Sequence, residues 1–342
     1  MGSVKDLNVL KEATRENNGV GRFIYSDRYS VFDWGEMPDQ IPNKGAAIAI
    51  LGAYFFEKLE KMDIRTHYLG LVEDDKVKGL SEIKNPTNTM EMRLLHVIKP
   101  ELKGNRYDYS KYKNNFGGFL IPLEVIYRNF LPPGSSVFKR LKNGEIIPQD
   151  LGLDKMPEPN QKLEKPIYDV STKLEITDRY MNWGEAQEIS GLSDVELKAL
   201  KELTATINDF ITNEFAQIGL VNEDGKIELG FDLERKLMLV DVFGTLDECR
   251  FTYEGLPVSK EIARIHYRNT EWNKAVEEAK KKDRQHWKDI CKLKPEPLSP
   301  KLKQLISQIY CGVTHEITKK EWFKNIPPLE EILKEIKIEL GL

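Results

Sequence analysis

Lys226, Glu228 and Asp241 are the residues whose types and spacing point most directly to chemistry. Lys226 to Phe231 and Lys236 to Val242 read as strands, with Asp232 to Arg235 as the loop of a hairpin. A four-residue loop sets Lys226 opposite Asp241 and Glu228 opposite Leu239, so two carboxylates and one ammonium leave one sheet face. Magnesium takes one or two carboxylates and completes its shell with water and phosphate oxygens, so this trio suits a metal-bound polyphosphate. An exposed face with a cross-strand ion pair has the same composition, and the hairpin alone does not separate the two readings.

Three other groups are candidates. Leu120 to Tyr127 reads as a strand with Ile121, Leu123, Val125 and Tyr127 on one face and Pro122, Glu124, Ile126 and Arg128 on the other. Arg128 and Asn129 lead into a turn through Pro132, Pro133 and Gly134 to Ser135 and Ser136. A guanidinium fork with turn N–H groups and hydroxyls can hold a phosphate; an ordinary loop with an exposed Arg is the plainer reading. Asp247, Glu248, Cys249 and Arg250 follow the hairpin, where the acid and the Arg could simply pair. Asp27 to Asp33 forms a polar, aromatic-rich turn around Phe32. No Walker loop, GxGxxG or GxSxG is present, and Gly19 and Gly21 around Val20 are too little for a phosphate loop. No His lies near Cys249 in sequence, which argues against a thiol nucleophile.

The elements that must position these groups follow from periodicity. Arg22 to Tyr25 reads as a short strand, and a helix is expected from about Ala46 to Met62 with Ile48, Leu51, Phe55, Leu59 and Met62 on one stripe. Val72 to Asn115 suggests short strands. Lys142 to Pro166 is rich in proline and charge and reads as an extended loop. Ser193 to Ile218 is the clearest helix: Ser193 and Glu196 form a capping box, a stripe from Val195 to Ile218 is apolar, and Gly219 stops it. The chain after Ser259 reads as helical and charged.

Composition bounds the function. The chain has 342 residues, 40% hydrophobic and 31% charged, which supports a full core and two lobes. A net charge of −4 gives no reason to expect nucleic acid or an anionic membrane as partner, so anionic substrates must meet local Lys and Arg clusters. Three scattered cysteines do not form a disulfide framework and fit a reducing cytoplasm; the five histidines show no HxxxH or HExxH spacing for zinc. The longest apolar stretch, Ala46 to Phe56, falls short of a membrane span, and no signal peptide is visible at Met1 to Leu10.

These groups occur in the order seen in the SAICAR synthetase family, which the chain resembles from about Arg22 to Arg264. Asp27 to Asp33 resembles the family's D-R-x-S-A-F-D, and Ile41-Pro42-Asn43-Lys44-Gly45 its I-P-G-K-G. Pro122 to Asn129 with Gly134-Ser135 resembles P-V-E-V-V-V-R-N and its G-S turn. Pro166-Ile167-Tyr168 with Ser171-Thr172-Lys173 resembles the proline-led S-T-K stretch, and Lys226 to Gly230 resembles K-x-E-F-G. Asp241, Asp247 and Arg250 follow the family's D-E and P-D-S-S-R, and Ser259-Lys260-Glu261 with Arg264 weakly echoes D-K-Q and a later Arg.

The resemblance implies a two-lobed α+β fold, with antiparallel sheets, helices and an ATP cleft between an N-terminal lobe (1–120) and a C-terminal lobe (121–342). It implies an ATP- and Mg2+-dependent ligase that joins the ribotide carboxylate to L-aspartate through an acyl phosphate. Small molecules are then the partners, without nucleic acid or membrane, and assembly with further copies is left open. By resemblance Glu228 and Asp241 hold magnesium, Lys226 and Glu124 serve the nucleotide, and Asp247 orients the imidazole. Arg128, Ser135 and Arg250 bind the ribotide, with Asp27, Arg28, Ser30 and Lys44 near the substrate. The family's glycine lid, E-G-K-x-(K/R), has its nearest counterpart in Lys11-Glu12-Ala13-Thr14-Arg15, so Lys11 and Arg15 are the candidates to replace its lysine. The second acid of D-E is Val242 here, and Glu248 adds a negative charge. A related ligase with another carboxylate or amine, or a non-catalytic nucleotide-binding homologue, are the alternatives.

Overall fold

Strand-forming runs before residue 95 build one sheet, and those from Leu120 onward build another. The protein is described here by a computed structural model covering residues 4–113, 116–283 and 286–342. The first sheet takes β1 (Lys5–Lys11), β2 (Gly19–Tyr25), β3 (Tyr68–Glu73), β4 (Lys76–Lys78) and β5 (Thr89–Leu94) in the order β1-β2-β5-β3-β4. A ribbon of β6 (Glu101–Lys103) and β7 (Arg106–Asp108) follows. The second sheet contains β8 (Leu120–Leu131), β9 (Gln161–Thr172), β10 (Tyr180–Met181), β11 (Val221–Phe231), β12 (Leu237–Val240), β13 (Cys249–Tyr253) and β14 (Leu256–Pro257). Its order is β10-β9-β8-β11-β13-β14, with β12 also on β11, and these pairings are antiparallel.

Backbone bonds stitch the sheets together at two points. His67 N–H donates to the Leu239 carbonyl at 3.1 Å and Leu239 N–H to Arg65 at 2.9 Å; His96 N–H donates to Gly118 at 2.9 Å and Leu120 N–H to His96 at 3.1 Å. The short strands expected within Val72 to Asn115 are β4 to β7; Asn114 and Asn115 lie outside the described residues.

Helix α1 (Lys44–Glu60) starts against the turn at Tyr25, where a Cβ on Gly45 would stand 2.4 Å from the Tyr25 carbonyl oxygen, so only glycine fits. After α2 (Ser136–Lys142) and α3 (Trp183–Ser190), helix α4 (Asp194–Ala216) carries the expected capping box. Its apolar stripe covers the back of the second sheet, where Phe215 stacks on Phe251 at 3.8 Å, although Val195, expected in the stripe, is 78% exposed. With one face covered by α4, the sheet keeps its other face for polar groups. Of α5 (Glu261–Arg268), α6 (Glu271–Lys282), α7 (Trp287–Ile290), α8 (Pro300–Thr318) and α9 (Leu329–Leu340), α8 returns to α1. Ser307 Oγ donates to the Pro42 carbonyl and Thr314 Oγ1 to Ala47 at 3.3 Å. The architecture is α+β, as the sequence implied.

Two expectations need correction. Lys142 to Pro166 is not loop throughout: a 3-10 turn spans Pro148–Leu151, and β9 begins at Gln161. Pairing of β9 with β8 is irregular between Ile167 and Lys162, and Pro166, without an N–H, sits in that break. The hairpin register is also shifted by one. Asp232 N–H donates to the Lys236 carbonyl at 2.9 Å and Arg235 is left-handed (φ 59°), so three residues form the loop rather than four. Glu228 therefore faces Val240, and Asp241 falls beyond the strand in a left-handed turn (φ 58°).

Candidate active site

Asp224, Lys226 and Glu228 alternate along β11 and so share one sheet face. The register brings Arg128 beside Asp224 and Glu124 beside Glu228 from β8, and Arg250 beside Asp224 from β13. On the opposite face Gly225 is obligatory, because a Cβ there would lie 2.3 Å from the Tyr127 hydroxyl. Four residues separate the two ends of this polar row, roughly 13 Å at the usual strand rise.

The guanidinium end is built around Asp224. Arg250 grips both its oxygens, with Nε at 2.8 Å from Oδ1. Arg128 is only 2% exposed, and its donors reach Ser135 Oγ (3.3 Å), Ser136 Oγ (3.1 Å), Asp224 and Asp169 (both 3.4 Å), while its Nε finds no partner among the described residues. Ser135 also caps α2 by accepting the Val137 N–H. The structure brings Arg128, Ser135 and Arg250 together around Asp224. A cavity of roughly 500 Å³ opens beside Arg250, Pro133 and Gly134.

The other end is a lattice of lysines and carboxylates from both sheets. Lys226 Nζ lies 3.0 Å from Glu124, 3.5 Å from Glu248 and 3.6 Å from Glu228. Burial opposes its charge, but Glu248, Glu124 and Glu228 outweigh that and lift its pKa well above the ordinary lysine value. Lys173 pairs with Glu228 and, at 3.4 Å, with Glu124. Lys5, from β1, pairs with Asp241; burial draws its pKa down to about 8 even though Glu248 and Glu228 favour the charge. Burial alone would raise the Glu248 carboxyl, yet Lys226, Lys260 and Lys5 hold it below the usual range. Glu248, a departure from the family pattern, is thus neutralised by this lattice.

Asp247 is buried behind it. Its Oδ2 accepts from Lys44 Nζ and its Oδ1 from the Tyr310 hydroxyl, both at 2.6 Å, and Lys260 donates to its backbone carbonyl at 2.6 Å. Lys44, at 1% exposure, serves Asp247 rather than open space. Burial pushes the Cys249 thiol up to about 12, which suits an inert core cysteine.

Most of the remaining sequence candidates have local partners. Asp27 accepts the N–H groups of Asn43 and Gly45 and so organises the entry to α1; Arg28 binds Ser26 and Asp6; Ser30 accepts the Gly35 N–H. Lys11 is exposed at the far end of β1, six residues and roughly 20 Å from Lys5, and Arg15 lies over the Phe116 ring. The lysine that β1 supplies is Lys5. Its strand signal, Leu7 and Val9 alternating with Asp6 and Asn8, was present in the sequence; Tyr310 had none, because only folding brings α8 to Asp247.

An α+β protein whose two antiparallel sheets meet at a buried lysine–carboxylate cluster is the class this arrangement defines. A family model described as SAICAR synthetase matches residues 10–279. A protein of Archaeoglobus fulgidus with the provisional name phosphoribosylaminoimidazole-succinocarboxamide synthase is 50% identical over 337 residues, covering 98% of this chain and 99% of its own. Among solved structures, the SAICAR synthase of Saccharomyces cerevisiae complexed with SAICAR superposes with a TM-score of 0.61 at 18% identity, covering 94% of each chain. A SAICAR synthetase in complex with ADP gives a TM-score of 0.56 at 22% identity, covering 87% of this chain and 99% of that one. The chain belongs to the SAICAR synthetase family.

Proposed function

We propose that this chain uses ATP to join the carboxylate of carboxyaminoimidazole ribotide to the amine of L-aspartate, a step of purine biosynthesis. Family membership supports the reaction, and the polar row from Arg250 to Glu228 is the observation that carries its assignment to this crevice. The ribotide phosphate binds at Arg250, Arg128 and Ser135, which places its carboxylate toward Lys226, two residues and roughly 7 Å further along β11. Lys226 and Lys5 hold the ATP phosphates. The ribotide carboxylate attacks the γ-phosphoryl group, ADP leaves, and the aspartate amine displaces phosphate from the acyl phosphate to form the amide. Phosphoryl transfer asks a protein mainly for position and charge neutralisation, which this lattice supplies.

The donor set fits magnesium. Among the described residues no group of three or more His, Cys, Asp or Glu side chains could hold a metal by itself. Glu228 and Asp241 would supply the one or two carboxylates such an ion takes, phosphate and water completing its shell, with Lys173 and Lys5 turning from those carboxylates to the phosphates. When bound, magnesium neutralises phosphate charge that the lysines alone leave. Lys44 and Tyr310 fix Asp247 against the imidazole side of the substrate. The division at residues 120 and 121, small-molecule partners and a cytoplasmic setting belong to the same proposal.

The defining assay is ADP release by the purified chain with magnesium. Release that requires both ribotide and L-aspartate is expected; equal release without aspartate contradicts the assignment. The N-terminal lysine has its own test. Lys5→Met raises the KM for ATP by about 10- to 150-fold, the worth of a charge-assisted contact, while Lys11→Ala and Arg15→Ala leave it unchanged. Steady-state kinetics with varied ATP checks both.

A further inference from the structure

The cavity beside Arg250 holds one carboxylate that the ligase reading has not used. Glu223 lies in β11 between Asn222 and Asp224, where the pairing with β13 breaks register: Asn222 faces Phe251 and Asp224 faces Arg250, so Glu223 is the extra residue of a bulge. Strict alternation would put Asn222 and Asp224 on the same side. Instead Asn222 Nδ2 turns to Thr212 Oγ1 (2.9 Å) and Asn208 Oδ1 (3.3 Å) on α4, while Asp224 meets the guanidinium groups. The bulge turns Glu223 into the cavity with Arg250, Gly134 and Ser259.

Glu223 is 8% exposed, yet among the described residues its carboxylate accepts no hydrogen bond and joins no ion pair within 4 Å. Burial pushes its pKa up to about 7, with Asp224 adding to the rise and Arg250 opposing it. Its acidic neighbour Glu261 is already engaged by Arg264 at 3.0 Å and Arg268 at 2.7 Å. The Glu223 oxygens are not sealed off from solvent but open to the cavity, so a ligand seated there can supply the donors that no protein group provides.

We infer that Glu223 is a specificity residue that accepts hydrogen bonds from the ribose hydroxyls of the ribotide. The inference rests on the proposed placing of the ribotide phosphate at Arg250. Asp224 beside the phosphate is compensated by Arg250 and Arg128, but Glu223 has no cation within 4 Å among the described residues, so the phosphate stays off it and Glu223 faces the next part of the ligand. In a ribotide that part is the furanose, whose vicinal hydroxyls are donors.

Calorimetric titration of the full chain with carboxyaminoimidazole ribotide and with its 2′-deoxy and 3′-deoxy analogues tests this. The wild type is expected to prefer the ribotide over at least one analogue by about tenfold, the worth of one hydrogen bond to a charged group. Glu223→Ala removes that preference, Glu223→Gln keeps part of it through its amide oxygen, and the KM for L-aspartate stays unchanged in both. Equal binding of all three ligands by the wild type, persistence of the preference in Glu223→Ala, or a selective rise in the aspartate KM overturns the inference. Failure of the wild type to bind the ribotide at all overturns the phosphate placement itself.

Discussion

Glu228→Gln lowers turnover by about 10²- to 10³-fold at saturating substrates, the scale at which one preorganised charge contributes to a transition state. The side chain is 5% exposed and held by Lys173 and Lys226, so its geometry is fixed before substrate arrives. Stability should suffer far less. Glu124 lies within reach of both lysines and Glu248 within reach of Lys226, so neither ammonium is left without an anion. The cost is then about 1–3 kcal/mol, that of lost hydrogen bonds rather than a stranded buried charge. Turnover and thermal unfolding of one preparation separate the effects, and wild-type turnover in Glu228→Gln removes Glu228 from the metal site.

Arg250→Ala raises the KM for the ribotide by about 10- to 150-fold, as loss of a charge-assisted phosphate contact of about 1.5–3 kcal/mol implies. The KM for ATP stays near its wild-type value because the lysine lattice is untouched. Arg250 is a cleaner probe than Arg128. Arg128 lies between Asp169 and Asp224 at 2% exposure, and removing it breaks buried contacts to both acids, Ser135 and Ser136; Asp169 keeps Arg140 and Asp224 keeps Arg250, yet the lost hydrogen bonds alone cost about 1–3 kcal/mol of stability. Asp224 keeps Arg128 when Arg250 is removed. An unchanged ribotide KM in Arg250→Ala would place the ribotide phosphate elsewhere.

The parts of this site legible in the sequence were those fixed by local pattern. Alternation along Leu120 to Arg128 separated the buried face at Tyr127 from the polar face at Glu124 and Arg128, and that separation is present. The box at Ser193 and Glu196 located the start of α4 within a residue. The hairpin failed by one residue because its register depends on Arg235 adopting a left-handed conformation, which glycine or asparagine would have announced and arginine does not. That single step moved Asp241 off the ladder and into the hands of Lys5. Lys5, Lys173 and Lys260 arrive from three separate parts of the chain, and such convergence leaves no trace in spacing. The resemblance supplied order along the chain, and the sheet supplied the side on which those residues meet.

The lysine–carboxylate cluster where the two sheets meet is the proposed nucleotide and metal site, and a crystal structure of the chain with ADP and magnesium tests that most directly. The expected density places the diphosphate against Lys5 and Lys226, with magnesium touching Glu228 and Asp241, and leaves the cavity at Arg250 free for the ribotide. A diphosphate seated on Arg250 and Arg128, with the lysine–carboxylate lattice intact and metal-free, would contradict the claim.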